Sequence, residues 1–151
     1  MASLTQEQTQ TLAAVLDTLI PPRDGLVGAG SLGLADSVAR EIDKMAGAID
    51  ALCGGLAALE SLVETRAGEK FASLADPARA EALSAHAEAD PGFLPGLIFH
   101  TYIAYYQDPR VVAALGMEPR PPHPQGYEIA PSDFESLTAN VRTRDPFFRK
   151  P

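Results

Sequence analysis

No segment of this chain alternates apolar and polar residues at period two, whereas its apolar residues recur every three or four positions. That spacing is the strongest limit on the fold. Val38, Ile42, Met45, Ile49 and Leu52 are spaced four, three, four and three, which lines them along one face of a helix. Leu12, Val15, Leu16 and Leu19 form a similar stripe behind Thr5-x-x-Gln8. In such a capping box the Thr hydroxyl and the Gln amide serve backbone N–H groups that the first helical turn leaves unpaired. Pro21-Pro22 ends that helix, because proline lacks the N–H that the next turn needs. The expected fold is all-α, a small helical bundle.

The rest of the chain extends the pattern. A Gly-rich loop runs to about Gly33. Gly54-Gly55 predicts a break after the Val38 to Leu52 stripe, with Leu56, Leu59, Leu62 and Val63 opening a third helix. Asp76-Pro77 reads as an N-cap and a first helical proline, leading a helix to about Glu88 that Asp90-Pro91 closes. Phe93, Leu94, Leu97, Ile98, Thr101, Tyr102 and Tyr105 make a broader, more aromatic stripe. A short helix from Pro109 to Leu115 ends at Gly116. Prolines from Glu118 to Pro131 forbid regular structure, and Ser132 or Asp133 caps a last helix with Phe134, Leu137 and Val141 expected inward. The predicted division is a helical bundle over 1–117, then a long irregular Pro-rich arm, short helix and C-terminal tail over 118–151, in one domain overall.

Charge and length exclude several function classes. The chain has 151 residues, enough for one domain with a hydrophobic core. A formal charge of -8 opposes nucleic-acid binding, which needs a basic face to replace phosphate counterions. It also weakens any attraction to an anionic membrane, and no apolar run has the length to cross one. Cys53 is the one cysteine, so neither an internal disulfide nor a cysteine-based zinc site can form. Beside the glycine pair at an expected helix end, Cys53 reads as an inert structural thiol. "MASLTQEQTQTL" has no basic n-region, twin arginine or apolar h-region. A cytoplasmic location is therefore expected for the chain as given, and a periplasmic one if a leader was removed or the partner carries one.

Candidate chemistry is sparse. Gly28, Gly30 and Gly33 spell a G-x-G-x-x-G. A dinucleotide site needs a strand ahead of that motif to aim backbone N–H groups at a pyrophosphate. Only Leu26 and Val27 stand between Gly25 and Gly28, so a plain inter-helix loop is the better reading. His86, His100 and His123 never pair at helical metal-ligand spacing. A stand-alone enzyme or metal-binding protein built on His100, His123 and nearby carboxylates such as Glu128 is the alternative function.

The residues from Tyr102 onward point elsewhere. Tyr102, Tyr105 and Tyr106 suit either a core or an interface, having apolar bodies and polar tips. "EPRPPHPQGYE" is a long, proline-stiffened, loop-like arm, and stiffness lowers the entropy lost on docking. Arg142, Arg144, Arg149 and Lys150 surround Phe147-Phe148, a basic aromatic end on an acidic protein. Aromatics and arginines are the usual interface anchors. The residues alone thus favour a binding protein over an enzyme.

"LTQEQTQTLAAVLDTLIPP", "FASLADPARAEAL", "YYQDPRVVAALGM" and "RPPHPQGYE" resemble, in order along the chain, the gluconate 2-dehydrogenase subunit 3 family. The most specific pieces are Tyr105, Tyr106 and Pro109, then Pro122 with Pro124 to Tyr127, and the ending Phe147-Phe148-Arg149. The resemblance implies a non-catalytic accessory subunit that binds and stabilises a large FAD-dependent partner. That partner is a glucose-methanol-choline (GMC) type sugar or alcohol dehydrogenase, and a cytochrome c subunit can take the electrons. It implies no cofactor in this chain, the FAD belonging to the large subunit. The partner-binding residues it suggests are Tyr105, Tyr106, Pro109, Pro122, Pro124, Gly126, Tyr127, Phe147, Phe148 and Arg149. Many relatives carry a twin-arginine leader that exports the large subunit; none stands here, so a cytoplasmic complex is the expectation.

Overall fold

The computed structural model describes residues 4–117 and 133–144. Seven α-helices and one 3-10 turn account for the regular structure among them: α1 Gln6–Leu19, α2 Ala35–Asp43, α3 Ala48–Ala67, the turn Phe71–Ser73, α4 Asp76–Ala89, α5 Phe93–Gln107, α6 Pro109–Ala114 and α7 Phe134–Arg142. No strand occurs among the described residues, beyond one isolated bridge between Arg23 and Leu26. The chain is all-α, as its periodicity predicts. Helices α1 to α6 belong to one compact unit and α7 to another.

In the first unit α1 packs on α2, α3, α4 and the 3-10 turn, while α5 packs on α2, α3 and α6. Leu12, Val15 and Leu16 of α1 meet Val38 of α2 and Leu56, Leu59 and Val63 of α3 in one buried cluster. Each such side chain contributes about 1.5–3 kcal/mol by leaving water. Thr5 caps α1 in a complete capping box with Gln8. Glu60 of α3 ties two neighbours to that core: one oxygen accepts from the Thr11 hydroxyl at 2.5 Å and the other from the Phe71 N–H at 3.1 Å. Outside this joint Lys70 pairs with Glu7, and that hydrogen bond holds the Glu7 carboxyl below its usual range.

Four expectations need correction, three of them between α2 and α4. The Val38 to Leu52 stripe is two helices rather than one. The break falls at Gly47, whose φ of 76° is left-handed backbone that suits glycine, and α3 runs straight through Gly54-Gly55. Gly55 is a packing glycine: a Cβ there would sit 2.2 Å from Cδ2 of Phe93, which lies on it from α5. Cys53 consequently sits mid-helix, half-buried, and not at a helix end. Asp76 is the first residue of α4 and not its cap; Ala75 holds the cap position, with no side-chain hydrogen bond.

On α7 the Asp133 carboxylate caps the helix by accepting from Ser136 N–H at 3.1 Å. Phe134, Leu137 and Val141 are exposed, against the inward placement expected of them. Their i, i+3, i+7 spacing makes a stripe, but spacing records only that a face exists, not that anything covers it.

Candidate partner-docking face

Helix α5 carries the most unusual surface of the first unit. Pro95 lies in its first turn, where a missing N–H breaks no intrahelical bond. Leu97, Thr101 and Tyr105 are buried one turn apart, and the Thr101 hydroxyl donates back to the Leu97 carbonyl at 2.6 Å, so it needs no outside partner. The opposite side is apolar too. Phe99, Tyr102 and Tyr106 are 61%, 45% and 50% exposed, and they share one surface patch with Pro95, Ile98, Ile103 and Gln107. None of these seven residues is charged. The Tyr102 and Tyr106 rings stack with centroids 5.9 Å apart, and Tyr106 meets Tyr105 edge-on at 5.3 Å. A helix that is apolar on every side normally lies inside a protein. Here one side has no cover among the described residues, which makes it the candidate interaction surface.

The neighbouring sequence Tyr105 to Arg110 divides its labour. Tyr105 is only 1% exposed, and its hydroxyl donates to the Val27 carbonyl at 2.9 Å. Its ring is core in this chain, so it offers no surface to a partner. Burial, and then the adjacent Tyr106, push the phenol pKa up. Asp108 caps α6 through the Arg110 N–H, and its carboxylate binds the Arg110 guanidinium at 2.7 Å. That side-chain hydrogen bond holds the Asp108 carboxyl below its usual range. Arg110 also donates to the Leu32 carbonyl at 2.9 Å. Pro109 opens α6 and is exposed.

Tyr105 and Arg110 therefore hold the glycine-rich loop, and α1 holds it from the other side. The Asp17 carboxylate accepts from Gly30 N–H at 2.8 Å, Ser31 N–H at 3.0 Å and the Ser31 hydroxyl at 2.8 Å. A Cβ on Gly28 would meet Asp17 Oδ1, and one on Gly30 would meet the Ala13 carbonyl oxygen. Those two glycines let the loop lie against α1, and Gly33 supplies a φ of 78°. The G-x-G-x-x-G is a packing device. Sequence reasoning missed Asp17. Its one hint was a carboxylate in the last turn of α1, where the helix dipole disfavours negative charge.

Of the other candidates, Tyr106 is on the exposed face, while Pro122, Pro124, Gly126, Tyr127, Phe147, Phe148 and Arg149 lie outside the described residues, as do His123 and Glu128. His100 is half-buried on α5, its ring edge-on to Phe99 at 5.3 Å. The described residues contain no group of three or more His, Cys, Asp or Glu placed to hold a metal. His86 is buried against Phe93, with ring centroids 4.8 Å apart.

Fold and face together define a small all-α protein built around an outward-facing aromatic helix. The chain belongs to the gluconate 2-dehydrogenase subunit 3 family, which it matches over residues 6–120. The match takes in α1 to α6, so Tyr105, Tyr106 and Pro109 fall inside it and α7 outside. The Pro124 to Tyr127 piece and the Phe147-Phe148-Arg149 ending also lie beyond the matched residues. No curated protein and no solved structure matches the chain.

Proposed function

We propose that this chain is the non-catalytic small subunit of an FAD-dependent sugar or alcohol dehydrogenase complex, and that it binds and stabilises the flavin-bearing large subunit. The supporting observation is the uncharged aromatic face of α5 on a member of a dehydrogenase-subunit family. On this reading the large subunit is a GMC-type oxidoreductase, the FAD and the chemistry are its own, and a cytochrome c subunit receives the electrons. The complex is cytoplasmic, or periplasmic where this chain or its partner is made with an export leader.

The energetics suit an obligate partner. Covering Phe99, Tyr102 and Tyr106 removes three large rings from water, each worth about 2 kcal/mol as an interface anchor. The patch bears no charge, so docking there strands no ion in an apolar contact. The face also gives the small subunit a direct way to stabilise its partner, since whatever binds the folded form alone shifts the folding equilibrium toward it.

The experiment is affinity purification of the tagged chain from its native cells. A stoichiometric partner with a flavin spectrum and dehydrogenase activity, together with a flavin-free, inactive isolated chain, is the expected result. A flavin bound stoichiometrically by the isolated chain, or dehydrogenase activity in it, overturns the proposal.

A further inference from the structure

A second apolar surface adjoins the other flank of α5. A cleft of about 350 Å³ opens where the end of α2, the start of α3 and the first turns of α5 converge. Ile42, Leu52, Phe93 and Leu97 are among its apolar walls. It exists because small residues face each other across it: Ala48 and Ala51 on α3, Gly92 and Gly96 at the start of α5. A Cβ built on Gly96 would meet nothing within 4 Å. Asp90 stands at the rim, its carboxylate accepting from Gly92 N–H at 3.1 Å and joined to no cation among the described residues. Asp90 is exposed, so its charge is open to solvent at the edge of the cleft. Glu41, which lies near His100 of the lining, is by contrast paired with Lys44 at 2.7 Å.

We infer that this cleft receives an aromatic side chain of the large subunit carried beside a basic residue, the ring entering between α3 and α5 and the cation meeting Asp90. The inference rests on the accessory-subunit reading above and names the anchor for it. Three observations carry it. The volume falls in the range of sites that enclose a bulky group, and the walls are apolar. Among the described residues the one rim charge without an ion-pair partner is negative, on a chain of net charge -8. The cleft also shares α5 with the exposed aromatic face, so one partner surface wrapping that helix reaches both. Large aromatics seated in such pockets beside a complementary charge are the usual hot spots of interfaces.

The test fills the cleft without unfolding the protein. Gly96→Leu places a side chain in open space and replaces a helical glycine, so the free chain should melt no lower than wild type. Its affinity for the purified flavin-bearing subunit should fall at least about tenfold, with Gly96→Ala between the two. Ala51→Leu, from the opposite wall, should repeat the loss and guards against a folding defect peculiar to position 96. Asp90→Asn keeps the acceptor for Gly92 but should flatten the salt dependence of binding. Wild-type affinity in both folded leucine variants overturns the cleft proposal and leaves the accessory-subunit reading standing. A wild-type chain that binds no flavoprotein overturns both.

Discussion

Gly54 and Gly55 are neighbours in the middle of α3, yet alanine should act on them with opposite sign. Both substitutions relieve the same backbone cost, since glycine inside a helix is worse than alanine by roughly 0.5–1 kcal/mol. At Gly54 a new Cβ would meet nothing within 4 Å, so the whole gain should appear as stability. At Gly55 it would sit 2.2 Å and 2.4 Å from Cδ2 and Cε2 of Phe93. His86 packs edge-on against that ring, so a retreat of the ring toward the cleft gives up part of its contact with α3 and α4. Overpacking of this kind costs about 1–3 kcal/mol. Because the helical gain is common to both, the difference between the variants isolates the clash. Gly54→Ala should be the more stable by about 1–3 kcal/mol, or roughly 4–10 °C in melting temperature for a unit of this size. Urea unfolding followed by circular dichroism at 222 nm (roughly the helical minimum) measures the difference directly. Equal stabilisation by the two alanines would refute the reasoning, because Phe93 would then not rest on Gly55.

Other consequences follow from the loop and its clamp. Gly30→Ala drives a Cβ into the Ala13 carbonyl, a backbone atom that cannot swing aside, and should cost about 2–4 kcal/mol in a denaturant titration. Tyr105→Phe should cost about 1 kcal/mol by removing the bond to the Val27 carbonyl, whereas Tyr106→Phe should stay within about 0.5 kcal/mol. Arg110 holds the folded Asp108 carboxyl below its usual range, so this pair's contribution is complete above that range and is lost as pH falls through the lower folded value. Stability should therefore drop more steeply below about pH 4 in the wild type than in Asp108→Asn, which keeps an acceptor for the helix cap but no ion pair.

Much of this architecture is legible in the sequence because local chemistry decides it. The Thr5 capping box, the proline stop after α1, and Gly116 after α6 each depend on residues within one turn. The misplaced break between α2 and α3 has the opposite origin. Apolar residues keep the helical phase across Lys44 to Gly47, so periodicity alone cannot see the turn there. Nothing near Gly55 says that a ring from α5 will lie on it, and a glycine pair read locally looks like a break. Tyr105 and Tyr106 show the same limit at the candidate site. Adjacent on one helix, they point to different sides, and burial is assigned by α5's neighbours rather than by the residue type. The glycine fingerprint lacks the preceding strand that a dinucleotide site needs, which the sequence shows, but its packing against Asp17 depends on a contact from α1 that spacing does not encode.

The central claim is that the outer side of α5 is covered by a partner in the working protein. Hydroxyl-radical footprinting of the free chain and of its purified complex, read at single residues within Phe93–Gln107, tests it most directly. In the free chain Phe99, Tyr102 and Tyr106 should oxidise readily and Tyr105 should not, matching their exposure. In the complex all three exposed rings should become protected severalfold while Tyr105 stays unreactive. Oxidation of Phe99, Tyr102 and Tyr106 at the same rates in both states would contradict the account, because the face would then be open in the assembly it is said to build.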